Sequence, residues 1–225
     1  MFVGHYGPAF ATHFVRRPPS LGAAFLAVQL VDVAWAGLIL AGVEHGRVEP
    51  GFLALSDLRL DHMPYTHSLP GALAFAAAGA LIYRLLDRRG GWVAAGLIGA
   101  CVFSHWVLDA LVHAPDLELW IGGPKIGLGW WDDPVLAIGS EALVLLGGLF
   151  VYLAATTPLN ATGRIAPWAL MGVFAALYAV DKLGPPPANL EAMAPQALIA
   201  YVAIAGLGFL LDRTRASKAR LQVQR

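Results

Sequence analysis

Ser104-His105-Trp106-Val107-Leu108-Asp109-Ala110-Leu111-Val112-His113 closes an apolar run that begins at Gly91, whose only strongly polar side chains before His113 are Ser104, His105 and Asp109. The run is long enough to cross the ~30 Å hydrocarbon core of a bilayer as a helix. Side chains four apart on a helix share a face, so His105 and Asp109 point the same way and His113 follows one turn on. An imidazole and a carboxylate at that spacing can close on a single divalent metal. Ionisable groups inside an apolar helix are costly and suggest function. The plainer alternative is a His–Asp pair that links two helices.

The rest of the chain agrees with a membrane setting. Of its 225 residues 58% are hydrophobic and 13% charged, with mean hydropathy +0.63, too apolar for an ordinary soluble domain. The expected fold is all-α: a polytopic transmembrane bundle of about six spans plus a short N-terminal half-helix. The half-helix covers Gly4 to Val15 and stops at Arg16-Arg17-Pro18-Pro19. The spans run over 21–43, 66–86, 91–113, 135–155, 165–180 and 197–211. One domain, 1–212, is followed by a basic cytoplasmic tail, 213–225, and the candidate metal site is built from 1–116. Zero net charge gives no sign of a nucleic-acid surface. A lone cysteine, Cys101, excludes an internal disulfide and a cysteine-based metal site.

With six spans, 11 of the 15 Lys and Arg residues fall on one side, among them Arg16, Arg17, Arg88, Arg89, Arg164 and Arg213. That side is expected to be cytoplasmic, which puts the 44–65 and 115–133 connections outside. His67 then begins the second span at its outer end, and Asp109 and His113 end the third there. His105 lies about two turns deeper and Asp32 deeper still. A helix from Arg16 lifts His5 about 16 Å toward the same depth. Four segments thus aim His or Asp at the outer half of one bundle.

Each residue has a plainer reading beside that one. His5 could be interfacial, and Asp32 with Gln29 could be a helix–helix hydrogen-bonding pair. Thr66, between His62 and His67, could cap a helix start. Glu141 reads as structural, and Asp116 after Pro115 as a kink or cap. His13 and His45 read as surface residues. Trp120, Trp130 and Trp131 read as interfacial anchors.

Gly4-His5, His62-Met63-Pro64-Tyr65-Thr66-His67-Ser68 and Ser104-His105-Trp106-Val107-Leu108-Asp109 together resemble the bacterial family of LexA-binding, inner-membrane-associated hydrolases (YdjM-like), also described as membrane-bound metal-dependent hydrolases. The pattern is a Gly-His, then His-x-x-x-Thr-His-Ser, then Ser-His-x-x-x-Asp, on one side of a helical bundle. The resemblance covers the first half of the chain, to Asp116. The family often carries a Pro-Asp-x-Asp-His run before the second motif; here only Glu44-His45, Asp57 and Asp61 stand in that region, and Asp32 is a substitute carboxylate. His113 and Asp116 extend beyond the third motif.

The resulting expectation is an integral membrane metal-dependent hydrolase of the bacterial inner membrane. His5, His67, His105 and Asp109 would be ligands, with Asp32 and His62 as further ones. An all-His/Asp set suits Zn, with Mn or Fe as alternatives, and its size allows one ion or two. His113 or Asp116 would relay a proton, Tyr65 would donate to an oxyanion, and a metal-activated water would attack a lipid or lipid-linked phosphoester or ester. The rival class is a transporter or channel for metal ions or protons, which would need polar residues continuing toward the cytoplasmic face. A third reading is a structural membrane protein with buried polar clamps.

Overall fold

The computed structural model describes residues 1–221. Its helices are α1 (Tyr6–Ala11), flanked by 3-10 turns at Val3–His5 and Thr12–Phe14, α2 (Leu21–Val28), α3 (Leu30–Leu40), α4 (Leu69–Leu86), α5 (Gly91–Val112), α6 (Pro134–Ala155), α7 (Ala161–Leu183), α8 (Leu190–Asp212) and α9 (Lys218–Leu221). Three antiparallel pairs join connections: β1 (His45–Leu53) with β2 (Ser56–His62), β3 (Leu117–Glu118) with β4 (Lys125–Ile126), and β5 (Thr156–Pro158) with β6 (Arg215–Ser217). Among the described residues α4 to α8 are each long and apolar enough to cross a membrane, and α2 with α3 can make a sixth span. The chain is an all-α bundle with the helices of a multi-pass membrane protein.

Side-chain caps define where several helices start. Asp133 Oδ1 accepts from the Val135 and Leu136 N–H groups ahead of α6, and Asn160 and Asn189 do the same for Gly163 and Ala192. The second span begins at Leu69 rather than Thr66, because Ser68 is its cap and accepts from Gly71 N. The seventh and eighth helices extend beyond the 165–180 and 197–211 expected of them.

The first span departs most from expectation. It bends by 47° between α2 and α3 and ends at Leu40. Gln29, at φ −107° and ψ 5°, leaves the helical conformation, and its N–H bonds back to Leu26. The break leaves the Val28 carbonyl for a side-chain donor. The 44–65 connection is a hairpin, with His45 opposite His62 and a register shift between Val48 and Leu53. Tail residues Arg215–Ser217 form a strand on β5, where the Arg215 guanidinium donates to Thr156 Oγ1, Thr156 O and Gly163 O. The end of the expected tail, 222–225, lies outside the described residues.

The half-helix enters the bundle. α1 packs on α6 at a glycine contact: a Cβ on Gly148 would fall on the Gly7 backbone, and one on Gly7 on the Val144 backbone. Small residues of this kind let membrane helices approach closely. Toward the tail end, Tyr6, Phe10, Phe25 and Phe174 form an aromatic layer, with Phe10–Phe25, Tyr6–Phe25 and Tyr6–Phe174 ring centroids 5.1, 5.0 and 4.7 Å apart. α5 is the most enclosed of the long helices, packed on α4 and α2.

Candidate metal centre

His105 and Asp109 lie on one face of α5, and both are buried. His105 Nδ1 is 2.7 Å from the Val28 carbonyl freed by the helix break. A carbonyl only accepts, so Nδ1 carries a proton, and in a neutral ring Nε2 would be the lone pair. That nitrogen stands 3.2 Å from Asp32 Oδ1 and 3.1 Å from Asp109 Oδ2.

His67 is fixed the same way by a relay. Glu44, buried at the end of the first span, accepts from Tyr65 N and Thr66 N, each at 2.9 Å, and from the Thr66 hydroxyl at 2.5 Å. With its proton given to Glu44, Thr66 Oγ1 accepts from His67 Nδ1 at 2.8 Å. In a neutral ring His67 Nε2 would be a lone pair as well; it lies 3.4 Å from Asp32 Oδ1 and 3.8 Å from Asp109 Oδ2. Trp106 Nε1 donates to the His67 carbonyl at 3.2 Å and steadies the turn.

Asp32 reaches the cluster from α3, just past the break. Its Oδ2 accepts from the Tyr201 hydroxyl at 2.8 Å, which turns Oδ1 toward the two imidazoles. His5 comes from the N-terminal turn, with Nε2 3.1 Å from Asp109 Oδ1 and its ring stacked on His105 at 3.9 Å and 4°. Glu141 on α6 anchors that turn by accepting from Phe2 N at 2.6 Å and Gly4 N at 2.5 Å. The Met1 amino group also contacts Asp109 Oδ1.

These distances suit an ion. Ligand bonds of ~2.0–2.1 Å in tetrahedral geometry give ligand–ligand edges of about 3.3 Å. His67 Nε2, His105 Nε2, Asp32 Oδ1 and Asp109 Oδ2 define four such edges at 3.4, 3.8, 3.2 and 3.1 Å. Two overlapping groups, Asp32–His67–His105 and His5–His105–Asp109, each bring their ligand atoms within 4.8 Å of one another and share the His105 ring. The imidazole and carboxylate donors suit Zn, Mn or Fe.

His113 caps the end of α5, its ring 4.5 Å from Trp131. Its Nε2 is 4.0 Å from Asp109 Oδ1 and its Nδ1 3.3 Å from Asp116 Oδ1. Asp116 Oδ2 accepts from Leu60 N at 3.0 Å, so this pair joins the cluster to the hairpin. A cavity of about 620 Å³ opens beside it, with Asp32, His67, Asp109 and His113 in its walls.

The structure thus brings His5, Asp32, His67, His105 and Asp109 together, with His113 and Asp116 alongside. It leaves two expected residues outside. His62 is held in β2 opposite His45, its exposed ring 3.7 Å from Glu118; strand pairing keeps it off the cluster. Tyr65 is half-exposed and only its main-chain N–H engages, with Glu44; its phenol does not line the cavity. Glu44 and Tyr201 were missed. A carboxylate ending an apolar span was the one available signal for Glu44, and a lone tyrosine within α8 gave none.

No known protein family, curated protein or solved structure matches the chain.

Proposed function

We propose that this chain is an integral membrane metal-dependent hydrolase of the LexA-binding, inner-membrane-associated type, acting on a lipid or lipid-linked phosphoester or ester. The observation that carries this reading is the orientation of two imidazoles. His67 and His105 each commit Nδ1–H, to Thr66 and to Val28, and turn Nε2 toward two carboxylates. Lone pairs and carboxylate oxygens converging inside an apolar bundle call for a cation.

His67, His105, Asp32 and Asp109 would hold one ion, and His5 with the second oxygen of Asp109 would extend the centre toward another. Bound there, a divalent metal supplies Lewis acidity and lowers the pKa of water toward neutrality. The chain's own residues do the rest. His113 lines the cavity and takes the proton released when water adds to the substrate, with Asp116 Oδ1 3.3 Å from its Nδ1. The same imidazolium returns that proton to the leaving oxygen. Tyr201 holds Asp32 in its ligand rotamer.

The aromatic layer of Tyr6, Phe10, Phe25 and Phe174 supports a dead-end site over a through-path for ions, because it fills the bundle on the tail side of the cluster. The basic residues at the tail end support a site toward the periplasmic half of a bacterial inner membrane.

Elemental mass spectrometry of detergent-purified protein tests the reading. One or two equivalents of zinc, manganese or iron are expected in the wild type and in His62→Ala, and loss in folded His105→Ala and Asp109→Ala. A metal-loaded phosphatase and esterase screen follows. A wild type without metal after growth in supplemented medium would overturn the proposal and leave a His–Asp ion-pair network.

A further inference from the structure

The walls of the cavity above the cluster come from α7 and α8, the part of the chain outside the family resemblance. Leu177 and Val180 line it from α7, and Met193, Ala197 and Ala200 from α8. Their spacing of three and four makes one apolar stripe on each helix. Across most membrane bundles such stripes pack on each other. Here α8 packs chiefly on α2 and α3 and only lightly on α7, so the two stripes border a slot. Val180 is 71% exposed, which leaves the slot open sideways, where a bilayer would lie.

The way up toward the hairpin is tied across. The hairpin tip bonds to the loop before α6 through Leu55 N to Trp131 O at 2.9 Å and Ala54 N to Asp132 Oδ1 at 3.2 Å. Lys182 at the end of α7 donates to Leu55 O at 2.8 Å. The cavity therefore has a polar floor of Asp32, His67, Asp109 and His113, a latched roof and a side opening in which Gln196 and Asp181 stand among the apolar residues. A water-soluble substrate needs no such side opening. An amphiphile does: a hard anionic head suits a metal-lined floor, and an aliphatic chain suits a slot between two lipid-facing helices. The volume, about 620 Å³, is that of an ordinary small-molecule site.

We infer that the site takes a lipid phosphate ester from the side, with the phosphate on the His/Asp floor and one aliphatic chain in the slot between α7 and α8. This rests on the metal-centre reading, narrows its lipid phosphoester or ester to a phosphate ester, and adds the slot for the chain and the direction of approach.

The test uses cobalt-loaded protein in nanodiscs, with the visible absorption of the metal as readout, and dodecyl phosphate against ethyl phosphate as probes. Each methylene leaving water contributes ~0.8 kcal/mol whether it enters the slot or the bilayer, so dodecyl phosphate should perturb the spectrum at a concentration at least ~100-fold lower than ethyl phosphate, and the change in that ratio on blocking the slot is the readout. Ala197→Trp fills the slot and should cut that ratio at least ~10-fold; because both probes partition equally in both proteins, bilayer partitioning cancels. Ala197→Cys is a milder second probe, since dodecyl phosphate should slow its reaction with a thiol reagent while ethyl phosphate should not. A ratio unaffected by Ala197→Trp, with no protection of Ala197→Cys, overturns the slot while leaving the metal centre standing. Failure of the wild type to bind cobalt overturns the metal reading itself.

Discussion

Glu44→Gln is the most searching perturbation of the metal centre, because it changes no group in the cluster. The amide can keep its oxygen where Oε1 accepts from Tyr65 N and Thr66 N, but it then sets an NH2 opposite the Thr66 hydroxyl. That hydroxyl now accepts from the amide and turns its own proton toward His67 Nδ1. The imidazole proton moves to Nε2, the atom that faces Asp32 and Asp109, and a protonated Nε2 cannot ligate. Losing a second partner of a ligating histidine costs about 10–100-fold in metal affinity, or about 1.4–2.8 kcal/mol. Loss of the charged acceptor removes a hydrogen bond worth ~1.5–3 kcal/mol to the apo fold. Competition with a zinc chelator gives the first quantity and thermal unfolding of the apo protein the second. Thr66→Ser should retain zinc affinity and Thr66→Val should lose it. A folded Glu44→Gln protein with wild-type zinc affinity would refute the relay and the tautomer assigned to His67.

Three further outcomes follow from the geometry. Glu141→Ala strands the buried N–H of Gly4, at ~1–3 kcal/mol, and the part-buried one of Phe2; it should expose the N-terminal turn to limited proteolysis and weaken metal binding through His5. Gly148→Leu drives a side chain onto the Gly7 backbone and should cost at least ~1–3 kcal/mol in denaturant unfolding, whereas Gly147→Leu, with nothing within 4 Å of its Cβ position, should not. On the hairpin, the hydrogen bond from Arg47, with Arg59 beside it, holds the Glu49 carboxyl below the usual carboxylate range. A depressed carboxylate stabilises above its unfolded pKa and loses that contribution as pH falls through the folded one. Protection factors of the β1 and β2 amides, taken against intrinsic exchange at each pH, should therefore fall below about pH 4, and should lose that acid dependence in Glu49→Gln.

The long spans were legible because apolar length is itself the signal, and α5 and α6 start and stop close to where their sequence says. Asp32, His67, His105 and Asp109 were legible as ionisable groups at one depth of such spans. The break at Gln29 was not, since both halves of the span are equally apolar and one amide does not announce a bend. The hairpin was hidden by Pro50-Gly51, which reads as a turn but lies inside β1 beside its register shift. His62 was misjudged because spacing within a motif says nothing about which half of it enters a strand. Tyr201 and Glu44 act through partners far away in the chain, a relation that no local pattern encodes.

The anchoring of His5 by Glu141 has a consequence for how the protein is made. The ribosome delivers His5 near the beginning of this sequence, but the two backbone bonds that hold its turn need a carboxylate on α6. At about 5–20 residues per second, the interval between the two is on the order of ten seconds. By its end α2 to α5 can already be in the bilayer, with His67, His105, Asp32 and Asp109 present. His5, though made first of the five clustered residues, is thus seated only once α6 has emerged, and Asp32 gains its Tyr201 partner later still, with α8.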